Sequence, residues 1–427
     1  MQRESDTLVG LNVGTTKITV IVAGRDPRFR DPVKVIGIGS TPSRGISKGV
    51  IVNLGDATEC VISALKDAEH IVGRRLDSAV VAFNSLDVES IMTHGMVSLG
   101  GREPSRVTVS DLERVIETAQ SRLTLSNNTL SVHTIPVHYT LDERPVEEPL
   151  NMTGAILEMT LQTVSVPKTN AQNVITCVED AGLHVEGLVL KPLAAALGAL
   201  TSEEMRVGAI SLSIGGGATG LVLYSAGRPF KIMSVPIGGE HVTTDLARVL
   251  RIPLRRAEML KRRLFSEDDE VLRQEGIDVK LALEVVASRL EELFLDHVQK
   301  PLREFDLQMF PSGVVLSGGV AKTPGISDML SEILQLPVRV AVPGDLFSPM
   351  PPGRDDTGYV SATGLLRYML YRQRHSHLFI EPTYTELRTG ERSSLMRERE
   401  TVRISETERW NFKNLLDTVK ERLRDYF

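Results

Sequence analysis

Residues 9–17 read VGLNVGTTK and residues 210–218 read ISLSIGGGA. In both places an apolar, β-rich run enters a glycine turn and a second run leaves it, at 18–23 and at 220–224. A third short run comes after another turn in each copy, at 24–27 and at 226–229. Backbone N–H groups in such turns form anion-binding concavities, and glycine lets the chain approach a bound group closely. Two hairpins of this kind facing each other across a cleft can grip a triphosphate. Gly14, Thr15, Thr16 and Lys17 in the first turn, with Gly215, Gly216 and Gly217 in the second, are the candidate phosphate-binding residues.

The far end of the chain carries a different chemistry. From about residue 371 the apolar periodicity is lost, and residues 373–408, rich in Arg, Glu, Ser and Thr, are expected to form a disordered linker. Helical spacing returns over 409–427, where Phe412, Leu415, Leu416, Val419, Leu423 and Tyr426 make one apolar stripe. Trp410, the only tryptophan, and Phe427 flank it, and Lys413, Lys420, Arg422 and Arg424 make the rest mildly basic beside Asp417, Glu421 and Asp425. A tethered helix of this kind suits the headgroup boundary of an anionic membrane.

Composition narrows the classes. A chain of 427 residues is too long for one core, and a net charge of −6 argues against nucleic acid as a partner. Cys60 and Cys177 sit in apolar-periodic stretches and are expected as buried thiols in a reducing compartment. Neither a signal-peptide pattern nor a bilayer-length apolar run is present, so a cytoplasmic protein held peripherally at a membrane is expected. His94, His133, His138, His184 and His241 have no ligand spacing, and no metal site is assigned.

These residues need elements to hold them. Asp56 with Glu59 has the form of a capping box before a helix to about residue 72, with a strand after it at 79–83. Ser110, with Glu113 three residues on, is the expected N-cap of a second helix running to about Arg122. Strands at 131–139 and 154–166 come next, then a helix at 170–181 and a strand at 185–190. A glycine turn at 236–240 precedes helices at 241–250, 254–264 and 281–301. A buried strand at 313–316 leads into Ser317, Gly318 and Gly319. Thr323 is the expected cap of the next helix with Pro324 at its first position, and 357–370 forms the last helix of the globular part. Strand, glycine turn, strand, then helices, occurring twice, is α/β organisation in two related lobes.

The chain resembles the actin/Hsp70/sugar-kinase superfamily and, within it, the bacterial FtsA cell-division family, essentially end to end. The resemblance implies an actin-like two-lobed fold with a duplicated βββαβα-type core and an SHS2-like subdomain inserted in the first lobe. It divides the chain into a first-lobe core (1–83, completed by 163–193 and 357–372), the insert (84–162), a second-lobe core (194–236, completed by 309–356) and a smaller subdomain (237–308). It also implies ATP as the bound nucleotide, with Gly239, Glu240, Glu258 and Lys261 contacting it from the second lobe and Gly318 and Gly319 on the adenosine motif. FtsA-like proteins assemble into actin-like filaments and hold the C-terminal tail of FtsZ polymers at the cytoplasmic face of the membrane, at the division site. They recruit later division proteins partly through the insert. Arg289 falls where the family has an arginine important for the FtsZ contact. A PilM-like pilus-assembly adaptor shares an insertion in the first lobe, but the long tether and amphipathic end argue against it; an active ATPase or kinase is the remaining alternative.

Three positions depart from the superfamily pattern. Asn12 and Ser213 replace the acidic residues of the two phosphate motifs, with Ala218 after the second run of glycines, and Lys191 stands where Glu or Gln is common. Neither Asn12 nor Ser213 supplies negative charge to a hydrated Mg²⁺. Weakened Mg²⁺ binding, little or no hydrolysis and no catalytic residue are therefore expected.

Overall fold

The computed structural model describes residues 7–25, 33–100, 103–265, 269–343, 347 and 350–374. The stripe that includes Trp410, Phe412, Leu415, Leu416, Val419, Leu423, Tyr426 and Phe427 lies outside the described residues.

Two five-stranded sheets carry the duplication. In the first, the strands run in the order His184–Leu190, Ser78–Phe83, Thr7–Val13, Lys17–Arg25, Val33–Pro42; in the second, Val338–Val340, Val314–Ser317, Ala209–Ile214, Thr219–Ser225, Arg228–Val235. Each sheet is an antiparallel meander of three strands extended by two parallel ones. Ala209–Ile214 is buried along its whole length, as a strand covered on both faces must be.

Inserted within the first lobe's sequence, a four-stranded sheet (Arg144–Val146, Thr129–Leu141, Ile156–Pro167, Glu89–Ser98 in spatial order) and the helix Val109–Ser121 form a separate module. It has its own core, which includes Leu112, Val115, Ile116, Leu157 and Leu161. The module also leans on the second lobe. Arg228 donates to the carbonyls of Pro136 at 2.6 Å and Glu147 at 3.1 Å, and the Gln162 amide donates to the Phe230 carbonyl at 3.0 Å.

Several local expectations shift. The third strand of the first meander is Val33–Pro42, not 24–27, because the second strand continues to Arg25. In the second copy Ala226 and Gly227 take positive φ (50° and 78°), a tight hairpin turn, so the strand proper is Arg228–Val235. Asn53, not Asp56, caps Leu54–Val72, its side chain accepting from the Asp56 N–H. The second capping box is Thr108 with Asp111, two residues before Ser110, because the Asp111 carboxylate reaches back to the Thr108 N–H at 3.0 Å. Gly325 at φ 75° caps Ile326–Leu334, which leaves Thr323 and Pro324 in the preceding turn. The helix expected over 281–301 is Val279–Glu292, then a widened π segment, Leu293–Gln299, before Lys300–Leu302. Pro301, with no N–H to donate, lies where that segment ends. The last described helix, Val360–Arg374, takes in residues 371–374 that the linker was expected to begin near.

The lobes are joined by crossed helices, Lys191–Ala199 and Val360–Arg374, and the first of them touches strands of both sheets. Their contact is reciprocal and made on glycines. A Cβ at Gly198 would sit 2.0 Å from the Val360 carbonyl oxygen, and one at Gly364 would sit 1.7 Å from that of Ala194. The Arg367 guanidinium then donates to the Leu197 carbonyl at 3.1 Å and to the Leu200 carbonyl, satisfying the helix end. In an open helix Gly→Ala stabilises by about 1 kcal/mol. At Gly364 the backbone clash reverses the sign. Gly364→Ala is expected to lower the denaturant midpoint, by an overpacking penalty of about 1–3 kcal/mol. Gly55→Ala, where a Cβ meets nothing closer than 3.7 Å, is expected to leave the midpoint unchanged or raise it.

Candidate functional site

The two phosphate turns are built to one register. Asn12 pairs with Thr19, one residue before the first hairpin closes at Val13 and Ile18; Ser213 pairs with Gly220, one residue before the second closes at Ile214 and Thr219. Each hairpin is therefore bridged by four residues, 14–17 and 215–218. On the other side Asn12 registers with Ala82 and Ser213 with Ser317, on the equivalent fourth strands. Asn12 and Ser213 thus occupy the same place in the two lobes, both buried, and the Asn12 side-chain oxygen has no hydrogen-bond partner.

The turns meet across the cleft. A Cβ at Gly216 would lie 2.2 Å from the Thr16 methyl, and one at Gly217 would lie 2.7 Å from the Thr15 hydroxyl. Lys191 enters between them, its Nζ 3.1 Å from the Cβ position of Gly14 and 4.0 Å from that of Gly215. Protein crowded around the ammonium group, with the Lys17 charge nearby, pushes the Lys191 pKa down to about 8. Asn84 and Lys191 line the same small cavity with Thr15 and Ser213; the Asn84 side-chain amide is buried there and has no acceptor. The cavity is about 20 Å³, room for a single water, so a phosphate enters only with the turns further apart.

The second turn is tied directly to a helix of its own lobe. The Gly239 and Glu240 N–H groups donate to the carbonyls of Gly215 and Gly216 at 2.9 and 2.8 Å, so the helix Gly239–Val249 starts on the phosphate turn. Lys261 donates to the Gly239 carbonyl at 3.0 Å, to the Thr243 hydroxyl at 2.7 Å and to Glu258 at 2.6 Å. Glu258 is held below the usual carboxylate range by those partners against its burial, whereas burial raises Glu240. Gly318 takes φ 92°, and its N–H donates to the Thr357 carbonyl at 3.1 Å; a Cβ at Gly319 would meet open space.

Lys17 turns away from the other members of its loop. Its ammonium sits 3.2 Å from the centre of the Tyr359 ring, beside Asp356, which Lys322 contacts at 2.9 Å. Burial lowers the Lys17 pKa to about 8 although Asp356 opposes the shift. Arg289 lies further along the second lobe. Its Nε donates to Asp245 at 2.6 Å and its guanidinium reaches Glu292 at 2.9 Å, which raises its pKa.

The structure therefore gathers Gly14, Thr15, Thr16, Gly215, Gly216, Gly217 and Lys191 at one point, and Gly239, Glu240, Glu258 and Lys261 beside it. Arg289 stands apart, paired to Asp245 on the helix that starts at the phosphate turn. Asn84, Tyr359, Asp356 and Lys322 were not singled out in the sequence. Asn84 comes directly after the strand Ser78–Phe83, and that strand-end position is the one signal that points to it. A larger cavity, about 770 Å³ and mostly apolar, lies away from the turns, where Val137, Leu193, Leu197, Tyr224 and Tyr368 bring the inserted module against both lobes.

Residues 86–165 match a family model described as the SHS2 domain inserted in FTSA, and residues 210–364 match that of cell division protein FtsA. Over 382 residues the chain is 32% identical to the cell division protein FtsA of Pseudomonas aeruginosa, covering 86% of this chain and 90% of that one. The chain belongs to the FtsA family. The FtsA of Bacillus subtilis is 31% identical over 379 residues, 85% of this chain and 83% of that one. Among solved structures, a PilM–PilN type IV pilus biogenesis complex aligns at TM-score 0.59 with 19% identity, over 84% of this chain and 97% of that one. MreB5 of Spiroplasma citri bound to ADP aligns at TM-score 0.51 with 14% identity, over 87% of this chain and 99% of that one. Those likenesses establish the actin-like fold, and the sequence relatives make this member a cell-division protein of that fold.

Nucleotides in this fold are commonly bound with Mg²⁺, and the two parts fit this FtsA-family site differently. Glycine-turn amides, the Lys191 ammonium and the Asn84 amide are donors suited to phosphate. Among the described residues no carboxylate lines the cavity, and no three His, Cys, Asp or Glu side chains cluster as metal ligands. The donor set fits a polyphosphate and does not fit a divalent cation.

The lysine gives the site a pH signature. Folded Lys191 titrates near 8, below its ordinary value of 10.5. Folding therefore opposes its protonation, a penalty that is full below about pH 8 and relieved as pH rises toward 10.5. A bound anion needs the proton. Phosphate-ligand affinity, measured calorimetrically from pH 7 to 9.5, is expected to fall above about pH 8, by up to tenfold per pH unit. Lys191→Met is expected to remove most of that fall.

Proposed function

We propose that this chain is an actin-like scaffold that tethers FtsZ polymers to the cytoplasmic face of the membrane and recruits later division proteins. The observation that carries the reading is a family relationship spanning most of the chain together with the inserted SHS2 module. In this reading the small subdomain of the second lobe receives the FtsZ C-terminal tail at Arg289, which must exchange Asp245 or Glu292 for the incoming partner. The amphipathic stripe over 409–427 holds the scaffold at an anionic membrane. The apolar cavity beside the inserted module offers later partners a place to dock. Copies of the chain associate into actin-like filaments. ATP lies between the two glycine turns and is hydrolysed slowly or not at all, because the acidic positions are Asn12 and Ser213.

The pilus-adaptor reading has a fold neighbour in its favour, but at 19% identity that likeness speaks to fold only.

Co-sedimentation of FtsZ with anionic vesicles tests the tether. The intact chain is expected to carry FtsZ down, and a chain truncated before Arg409 to leave it in solution; FtsZ left behind by a vesicle-bound intact chain would overturn the FtsZ assignment. Arg289→Ala is expected to weaken FtsZ capture roughly tenfold or more, as loss of a charge-assisted contact does, with vesicle binding intact. Asp245→Asn, which frees Arg289 from its partner, is expected to retain capture. Equal losses in both variants would assign Arg289 to packing of the subdomain instead.

A further inference from the structure

We infer that this chain holds a polyphosphate without a divalent cation, the Lys191 ammonium and the Asn84 amide standing where a hydrated metal would otherwise neutralise the phosphates. The inference rests on the proposed nucleotide site and goes beyond it.

Four observations converge on one point between the turns. Lys191 is the first residue of Lys191–Ala199, a helix whose N-terminus has no side-chain cap, so a cationic residue opens a helix end that already favours anions. Its Nζ stands 3.1 Å from the Cβ position of Gly14 and 4.0 Å from that of Gly215, flanked by both loops. Among the described residues no acceptor or carboxylate pairs with it, and its charged neighbour is another cation, Lys17. Asn84, 4% exposed, lines the same cavity; its Oδ1 accepts from the Ser234 hydroxyl at 2.9 Å, while its Nδ2 group has no acceptor among the described residues. A half-buried cation and a buried amide, both without acceptors on residues that line one cavity, are costly unless an anion completes them.

The acidic side is missing from the same place. A hydrated metal needs carboxylates to hold it, and the two symmetry-related positions are Asn12 and Ser213. A metal brought in with the phosphates would instead meet the Lys191 charge. Lys191 and a divalent cation are alternatives for one position, and this chain has the lysine.

Lys191 is also unlike a structural lysine. Among the described residues it forms no ion pair that its removal would break, so Lys191→Met deletes an uncompensated charge and keeps most of the volume. That variant is expected to unfold at a higher temperature than the parent while binding ligand less well. A lysine retained for packing or pairing would give the opposite stability change.

The test is calorimetric titration of the full chain with ATP, and separately with inorganic pyrophosphate, in excess EDTA and in excess Mg²⁺. ATP is expected to bind in EDTA at least as tightly as in Mg²⁺. Lys191→Met is expected to weaken both by roughly tenfold or more. Asn12→Asp with Ser213→Asp and Lys191→Glu is expected to restore dependence on Mg²⁺. Binding that disappears in EDTA, or that survives unchanged in Lys191→Met, overturns the inference. Pyrophosphate binding without ATP binding supports the metal-free polyphosphate site and overturns its assignment to a nucleotide. Failure of every ligand in both buffers overturns the site, while vesicle co-sedimentation with FtsZ decides the scaffold reading independently.

Discussion

The charge of Lys191 sits at the junction through which the rest of the molecule is connected. It opens the helix that touches both sheets, it stands between the two glycine turns, and among the described residues no acidic group answers it. Everything around it is arranged to bring backbone amides to the same place. Identical four-residue bridges close both hairpins, equivalent strands flank both, and the reciprocal Gly198–Gly364 crossing fixes the angle between the lobes. With the turns in contact, the space left is that of one water. A phosphate therefore needs the two turns further apart than they stand here.

The second turn is also connected toward the second lobe's surface. The carbonyls of Gly215 and Gly216 accept from the first N–H groups of Gly239–Val249, and six residues into that helix Asp245 holds Arg289. One helix thus carries the bonds to the phosphate turn at its first residues and, just past its middle, Asp245, the partner of Arg289 on the helix Val279–Glu292.

Much of this was legible in the sequence, and the legible part has a common cause. The glycine turns, the duplicated meander and the inserted module are set by local patterns: apolar runs of strand length, glycine where backbones converge, and periodicity switching between strand and helix. Boundaries failed where several residues could cap one helix. Asn53 and Thr108 won over Asp56 and Ser110 because their own backbone was extended and an aspartate three residues on could reach back. The break after Glu292 was missed because π-helical widening leaves the apolar spacing nearly unchanged. In the site, Asn12, Ser213 and Lys191 stood out as departures from a pattern. Asn84, Asp356 and Tyr359 could not, since only the tertiary fold brings them to the turns or to Lys17.

The central claim is that an ammonium group of the chain replaces a metal beside the phosphates. Crystals grown with an ATP analogue and Mn²⁺, measured at a wavelength where manganese scatters anomalously, test it directly. The account predicts nucleotide density between the two glycine turns, the Lys191 ammonium within hydrogen-bonding distance of a phosphate oxygen, and no anomalous peak there. A manganese peak bridging the phosphates, with Lys191 turned away, would contradict it.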